Sequence, residues 1–326
     1  MLEGKQLILA TKPFAIENTL KSWFHTLSTT ILLLLCYTIT IWSDVLAVKL
    51  LFALLSSLVS LRMFIIYHDY LHHTILQHSK IAHAIFTVFG LYILAPTSIW
   101  KRSHDYHHQH NSKLYSSSIG SFPIVTKEKY LSFTKNEQRI YRFIRNPFTI
   151  LFGYIFAFLY GMCIQSLIKS ASKHIDSAVS IVFHYSVGFS IYYFFGIENF
   201  LIAFLLPSFI SSAMGSYLFY AQHNFPGTTF EEKDGWTYVN AAMQSSSYMK
   251  MNNLMHWFTG NIGYHHIHHL NARIPFYKLP EAYDSLVELQ HAKTTSLSPG
   301  DILKCLRLAV WDPEQRKMIS YKEIPA

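Results

Sequence analysis

The stretch Ile262–Leu270 reads IGYHHIHHL and places four histidines within five positions. Two earlier stretches are of the same kind, namely HDYLHH at His68–His73 and HDYHHQH at His104–His110. If the three clusters serve one site, the chain between them must return each cluster to the same place. That condition restricts how the intervening apolar sequence can be arranged.

The composition indicates a membrane protein. Of the 326 residues, 51% are hydrophobic and 14% are charged, against about 25% charged residues in an average soluble domain. The net charge of +8 comes largely from basic residues beside apolar runs, as in the cytoplasmic flanks of membrane proteins. We therefore expect a lipid bilayer, and no nucleic acid, as a partner. Three scattered cysteines predict no disulfide framework, and no removable signal peptide is expected.

Four apolar runs have the length of membrane-spanning helices, at about residues 25–42, 45–66, 178–196 and 199–221. Short polar turns join them in pairs, so they predict two helical hairpins. Lys5, Lys12 and Lys21 precede the first pair and Asp44 lies in its turn. This asymmetry predicts a cytoplasmic N-terminus.

Two further apolar runs are irregular. Ile81–Trp100 is broken by Ala95-Pro96, and Phe148–Ile168 has basic residues at both ends. If either run crossed the membrane, the histidine clusters would lie on opposite sides of the bilayer. We therefore interpret both as interfacial or re-entrant, with a cytosolic cap at about residues 67–147 and 222–326 and a helix near 281–292.

The predicted fold is thus a single all-α integral membrane domain over residues 1–326, with four transmembrane helices in two hairpins and a histidine-rich cap.

The spacing of the clustered histidines predicts metal coordination. Residues three or four apart share one face of a helix, so they can converge on one ion. Eight imidazoles in this spacing are more than one metal can use, and two metals are implied. The eight are His68, His72, His104, His107, His108, His265, His268 and His269.

The type of metal follows from the ligands. Imidazole suits zinc, copper, iron and nickel, but the clusters contain no cysteine and no H-E-x-x-H motif. We favour two non-haem iron ions (Fe2+). Isolated histidines are more often surface or satisfied core residues than ligands, and we interpret six in that way: His25, His78, His83, His110, His174 and His184.

Four segments carry a family resemblance: RMFIIYHDYLHH, WKRSHDYHHQHN, FYAQHNF and GNIGYHHIHHLNARIPFYKL. From about Arg62 to Leu279 the chain resembles the membrane fatty acid desaturases, in their bacterial acyl-lipid branch. The resemblance implies a di-iron centre at the cytosolic face of the inner membrane. It also implies that a cis double bond is introduced into a fatty acyl lipid with O2 and two electrons, and that the acyl chain enters by a tunnel from the bilayer.

The resemblance assigns the three family boxes to the eight histidines named above. It adds His223, from the family's QH element, as a ninth ligand. His256 lies nine residues before His265 and competes with His223 for that place. His73 and His266 are additional imidazoles that helical spacing directs away from the ligands.

Outer partners of the ligands are harder to assign. A metal-bound histidine usually donates its second N–H to a carboxylate, a carbonyl or water. Asp69, Asp105 and Asp234 are the nearby carboxylates, and each could equally cap a helix or pair with Lys101 or Arg102. The candidate asparagines could likewise hold water or cap helices, and they are Asn111, Asn252, Asn253 and Asn261.

Other functions fit parts of the pattern. A di-iron hydroxylase or ketolase acting on a lipid, alkane or carotenoid would use the same ligands. A metal transporter would carry ionisable residues within its spans, and a bis-histidine haem protein would carry ligands within facing helices. Both fit less well.

The chain contains neither the haem-binding HPGG segment of a cytochrome b5 domain nor the dinucleotide-binding motif G-x-G-x-x-G. We therefore expect electrons to come from another protein. We expect a ferredoxin-like or cytochrome b5-like donor. Seven basic residues could contact an acidic carrier or, alternatively, anionic lipid headgroups: Lys101, Arg102, Lys127, Lys129, Arg139, Arg142 and Arg145.

Overall fold

A computed structural model describes residues 2–114, 119–232 and 234–324, and it is mostly helical. The α-helices are α1 Gly4–Ala10, α2 Thr19–Trp42, α3 Leu46–Leu71, α4 Lys80–Tyr92, α5 Thr97–His110, α6 Lys127–Leu131, α7 Lys135–Ile144, α8 Pro147–Leu151, α9 Gln165–Ser170, α10 Ile175–Asn199, α11 Leu206–Ala221, α12 Tyr238–Ser245, α13 Asn253–Phe258, α14 His265–Leu270, α15 Leu279–Ser285 and α16 Pro299–Arg307. Tyr154–Ile164 and Phe200–Leu205 are π-helical. Short 3-10 turns occupy Lys12–Ala15, Ala171–Lys173, Phe276–Lys278, Val287–His291 and Tyr321–Glu323.

The first hairpin is formed by α2 and α3. The Asn18 side chain caps α2 by accepting a hydrogen bond from the backbone N–H of Lys21. The two helices match the predicted spans, except that α2 begins earlier and α3 continues to Leu71. The extension matters because it places His68 on the last turn of a buried helix.

The second hairpin is one long helical segment, Ile175–Ala221, that reverses at Gly196. Gly196 has φ 81°, a left-handed conformation that other residues rarely adopt. The rings of His184 and Phe204 lie 4.7 Å apart, although a straight helix would separate these residues by about 30 Å. The segment therefore folds back on itself, as the predicted pair of spans requires.

Both hairpin turns lie at the end of the bundle opposite the histidines. The Lys49 ammonium at the start of α3 is 2.7 Å from the Glu198 carboxylate. Trp42 and Phe195, which precede the two turns, have ring centroids 5.7 Å apart. The four helical arms therefore run between a turn end and a histidine end.

The broken run at Ile81–Trp100 folds into α4 and α5, which are bent by 89°. Near the start of α4, a ring nitrogen of His83 lies 3.1 Å from the Tyr70 hydroxyl. Toward the end of α5, the ring centroid of His108 lies 4.7 Å from that of His72. Both ends of the bent pair therefore meet the same end of α3, as expected for a re-entrant segment.

The second irregular run differs from the expectation in one respect. Tyr154–Lys173 is long and apolar enough to be a fourth candidate span, beside Thr19–Trp42, Leu46–Leu71 and Ile175–Ala221. Its flanks nevertheless return to the histidine end. Before it, Arg145 donates to the Tyr220 hydroxyl near the end of α11. After it, α10 begins at Ile175, which is the end of this helical arm opposite the turn at Gly196.

Two predictions about the cap differ from the structure. It contains four three-residue strands, so the described chain is not purely α-helical: β1 Tyr248–Lys250, β2 Thr294–Ser296, β3 Val310–Asp312 and β4 Lys317–Ile319. β1 pairs with β2 in parallel, and β3 pairs with β4 in an antiparallel hairpin. The expected helix at 281–292 is interrupted, because Leu286 adopts an extended conformation between α15 and a 3-10 turn.

Candidate metal centre

Nine histidines from four parts of the chain converge at the histidine end of the bundle. In each of two groups, candidate ligand atoms lie within 4.8 Å of one another. The first group is His68, His72, His104, His108 and His268; the second is His107, His223, His265 and His269. All eight clustered histidines singled out in the sequence, together with His223, are therefore brought together.

The helical spacing explains how two helices serve both groups. On α5, His104 and His108 are one turn apart and face the first group, while His107 faces the second. On α14 the division is reversed, with His268 facing the first group and two histidines facing the second. Successive residues on a helix point about 100° apart, so the spacing H-x2-H-H distributes its rings between two neighbouring ions.

The distances within the first group fit a shared ion. The Nε2 atom of His104 lies 2.9 Å from that of His68 and 3.1 Å from that of His108. The Nε2 atoms of His108 and His268 are 3.0 Å apart. An imidazole nitrogen carries either one proton or one lone pair, so one nitrogen cannot satisfy two such neighbours. Nitrogens held about 2.1 Å from a metal at right angles would lie about 3.0 Å apart.

The second group repeats these distances. The Nε2 atom of His223 lies 3.0 Å from that of His107 and 2.9 Å from that of His265. The Nε2 atoms of His265 and His269 are 3.1 Å apart. The stacked rings of His108 and His269, with centroids 4.2 Å apart, join the two groups.

The surroundings keep the rings neutral, the state in which they bind metal. Burial lowers the pKa of His108 and His269 well below the usual value, and neighbouring histidines lower both further. Burial also lowers the pKa of His223 to about 4. The buried Nε2 atom of His72 has no hydrogen-bond partner among the residues that the structure describes, which fits a lone pair that is directed at an ion.

The two groups have different outer partners. In the first, Nδ1 of His68 lies 3.3 Å from the Asp69 carboxylate, whose other oxygen accepts from the backbone N–H of Phe276 at 2.7 Å. In the second, Nδ1 of His223 lies 3.0 Å from the backbone carbonyl of Ser245. Such partners fix the tautomer and orientation of a ligand.

Two aromatic side chains that the sequence analysis did not consider pack on the ligands. The Trp100 ring stacks on His104 with centroids 4.4 Å apart and meets His68 edge-on at 5.4 Å. The Phe219 ring lies 5.0 Å from that of His107 and 6.0 Å from that of His223. Each precedes a proposed ligand by four residues, namely His104 and His223, and this spacing is the signal that could have identified both.

Several candidate partners lie elsewhere. Asp105 is 2.8 Å from the Lys101 ammonium, on a partly exposed face of α5. Asp234 and Asn253 are exposed. His256 is buried against Tyr264, with ring centroids 5.1 Å apart, outside both groups. Asn252 caps α13 by accepting from the backbone N–H of Met255.

The remaining histidines also lie outside the two groups. His266 contacts the carbonyl of Leu289 at 3.0 Å, and His73 contacts Gln77. The six isolated histidines are exposed or bound to other partners, as the sequence analysis expected; for example, His184 contacts the Tyr154 hydroxyl at 2.8 Å.

Comparison with known proteins identifies the family of the chain. The model of the family described as fatty acid desaturase matches residues 20–297. A fatty acid desaturase of Bacillus subtilis (strain 168) is 31% identical over 264 residues, which cover 81% of this chain and 74% of the relative. An sn-1 oleoyl-lipid 12-desaturase of Anabaena variabilis is 22% identical over 228 residues, 69% of this chain and 65% of the relative. The chain therefore belongs to the fatty acid desaturase family and is a desaturase, an enzyme of lipid metabolism.

Proposed function

We propose that the protein is a membrane-bound acyl-lipid desaturase that introduces a cis double bond, with O2 and two electrons, at a pair of non-haem iron ions. The observation that carries the proposal is the convergence of nine buried or nearly buried imidazoles into two groups. Family membership removes the transporter and haem alternatives, since neither is a desaturase.

The nine histidines are the proposed ligands of the two irons. Bound iron would supply the oxidising power needed to abstract hydrogen from an unactivated methylene, which side chains do not supply alone. The protein holds the ring nitrogens neutral and converging, and Asp69 and the Ser245 carbonyl orient His68 and His223. Burial of the site excludes bulk water from the reacting centre.

The substrate is a fatty acyl lipid in the bilayer. Apolar helical arms lead directly to the histidines, since α3 and α11 each end beside a proposed ligand. The name of the cyanobacterial relative, an oleoyl-lipid desaturase, supports a lipid-linked acyl chain. The metal pair lies at the cytoplasmic face of the bacterial inner membrane, because Lys12 and Lys21 flank the histidine end of α2.

A ferredoxin-like or cytochrome b5-like carrier is the proposed source of electrons, and residues 1–326 contain neither an HPGG nor a G-x-G-x-x-G motif. The two electrons and two protons, together with the two hydrogens removed from the chain, reduce O2 to water.

The test is expression in a host with simple lipids, followed by fatty acid profiling and metal analysis of the purified protein. We expect a new acyl chain that is lighter by two hydrogens. We also expect the purified protein to contain two irons per polypeptide. The exposed His78, outside both groups, provides the control H78A, which should keep both. A product heavier by one oxygen would instead establish a hydroxylase, and an iron-free active protein would overturn the proposed centre.

A further inference from the structure

Apolar side chains face outward where α7 meets the helical arm that follows it. Four of them are each 49–60% exposed, namely Ile140, Phe143, Phe148 and Leu151. The Phe143 ring lies 5.2 Å from that of Phe156, and the Phe148 ring lies 6.2 Å from it. Phe156 belongs to the candidate membrane span Tyr154–Lys173. The apolar surface of this arm therefore continues onto α7.

The two sides of α7 differ in what they contact. On the inner side, Tyr141 is buried and its hydroxyl donates to a backbone carbonyl of the cap at 2.8 Å. Ile140 and Phe143 face outward together with Lys135 and Arg139, since residues three or four apart share one helix face. Basic and apolar side chains side by side on an outward face are typical of a helix that lies in a membrane surface.

The basic residues of this outward face have no acidic partner. Lys135 and Arg139 are exposed, and none of the ion pairs among the described residues includes either of them. The carboxylate of α7 belongs to Glu137, and it accepts from the backbone N–H and the hydroxyl of Thr134, each at 2.8 Å. The face therefore presents positive charge that no described carboxylate neutralises.

α7 also lies at the histidine end of the bundle. It ends at Arg145, which was expected among the basic residues of the surface but is 3% exposed. The Arg145 guanidinium donates to the Tyr220 hydroxyl at 3.1 Å and to Oδ1 of Asn224 at 2.7 Å, on either side of His223. The proposed membrane placement puts this end at the cytoplasmic leaflet, where anionic lipids attract basic segments.

The mixture of side chains favours a lipid surface over a soluble protein as the partner. Beside a membrane-spanning arm, the exposed apolar side chains contact acyl chains, whereas an acidic carrier in water would leave them uncovered. Headgroups without net charge would leave the two cations unmatched, and anionic headgroups match them.

We infer that the outward face of α7 binds the headgroups of anionic phospholipids, while Ile140 and Phe143 enter the acyl region beneath them. Each basic residue near such a surface contributes about fivefold to the local preference for anionic lipid. The inference rests on the proposed membrane placement of the protein, and it does not depend on the iron ions.

The lipids that surround α7 can be measured by fluorescence quenching. A bimane label is attached at I140C or, as a reference, at V182C on the exposed side of α10; the three native cysteines are buried. Each protein is reconstituted into phosphatidylcholine vesicles in which the same fraction of lipid is either brominated phosphatidylcholine or brominated phosphatidylglycerol. We expect the anionic quencher to be enriched at least about fivefold at position 140 and not at position 182.

Two double variants in the I140C background test the charges. K135Q/R139Q should remove most of the enrichment. K250Q/K317Q removes the same charge from exposed positions of β1 and β4 and should leave the enrichment unchanged. An ionic strength of about 1 M should also reduce it, because the Debye length then falls to about 3 Å.

Equal quenching by the two lipids at position 140, or an enrichment that survives K135Q/R139Q, would overturn the inference. The absence of quenching by either lipid would also overturn it, because protein would then cover α7. Should K135Q/R139Q fail to insert, the salt dependence decides, and an enrichment that salt does not change counts against the inference. Iron and desaturated product are measured in the same vesicles, and their absence beside an intact lipid preference would contradict only the proposed function.

Discussion

The two groups of histidines use the same ligand atoms at the same spacing, yet their surroundings differ. The first has five rings, the Asp69 carboxylate behind His68 and the Trp100 indole stacked on His104. The second has four rings, a backbone carbonyl behind His223 and a cavity at its side. The two halves therefore differ in the number of ligands, in the outer partner and in the cavity beside the second group.

We expect this difference to give the two groups different affinities for metal. A carboxylate partner raises the basicity of its histidine, and the first group also offers one imidazole more than the second. The first group is therefore expected to hold a metal ion more tightly. Substitutions that distinguish the two halves should therefore have different consequences.

The largest effect is expected from removal of a ligand. H104A in the first group and H223A in the second should each reduce product by more than about 100-fold, since even outer partners of ligands contribute 10–100-fold. Each variant should lose iron chiefly from its own group, measured by metal analysis and Mössbauer spectroscopy. Retained turnover with full iron content would remove that histidine from the ligand set, and H78A is the matched control.

Acid should destabilise the iron-free protein. The folded pKa of His223, about 4, lies below the unfolded value of 6.5, so unfolding takes up a proton between these values. The stability is complete above about pH 6.5 and falls by up to about 1.4 kcal/mol per pH unit for each such histidine. Thermal unfolding midpoints measured from pH 8 to 4 check this. A flat midpoint below pH 6 would contradict the burial of neutral rings.

Replacement of the Asp69 carboxylate tests the first group alone. D69N should lower iron affinity in the first group by about 10–100-fold and leave the second group loaded. D105N is the matched control, because Asp105 pairs with Lys101 away from both groups. Chelator competition followed by metal analysis measures the effect. Equal loss from both groups would show that the halves are not independently supported.

The smallest effects are expected from the aromatic supports. W100L should weaken the first group and F219L the second, each by about two- to tenfold, because an aromatic contact contributes about 0.5–1.5 kcal/mol. Iron retention after dialysis measures both. W100F should recover most of the loss at the first group, and failure to do so would indicate that the indole has a role beyond packing.

Many of the histidine pairs in this site could be predicted from the sequence, because they depend on local spacing along a helix. Residues four apart on a helix share a face whatever surrounds them, so His68 with His72 and His104 with His108 could be paired in advance. The choice of His223 over His256 could not be made in this way. Neither lies at helical spacing from another proposed ligand, and only the tertiary structure brings His223 to His107.

The outer partners were the least predictable part. Asp69 and Asp105 each follow a histidine directly in the sequence, yet Asp69 is buried beside His68 and Asp105 faces the surface. Their environments depend on which neighbouring element covers each helix face. For Asp69 that element is the turn at Phe276, which is more than two hundred residues away in the chain.

Residue types and spacing alone were therefore enough to predict a helical, membrane-type chain with clustered imidazoles, because hydropathy and helical periodicity are local properties. The family was indicated by the resemblance of four sequence segments. Only the tertiary structure decided which ring joins which group, where the cavity opens and which carboxylate supports a ligand. These depend on contacts between distant segments, and such contacts are set by packing that no short stretch of sequence encodes.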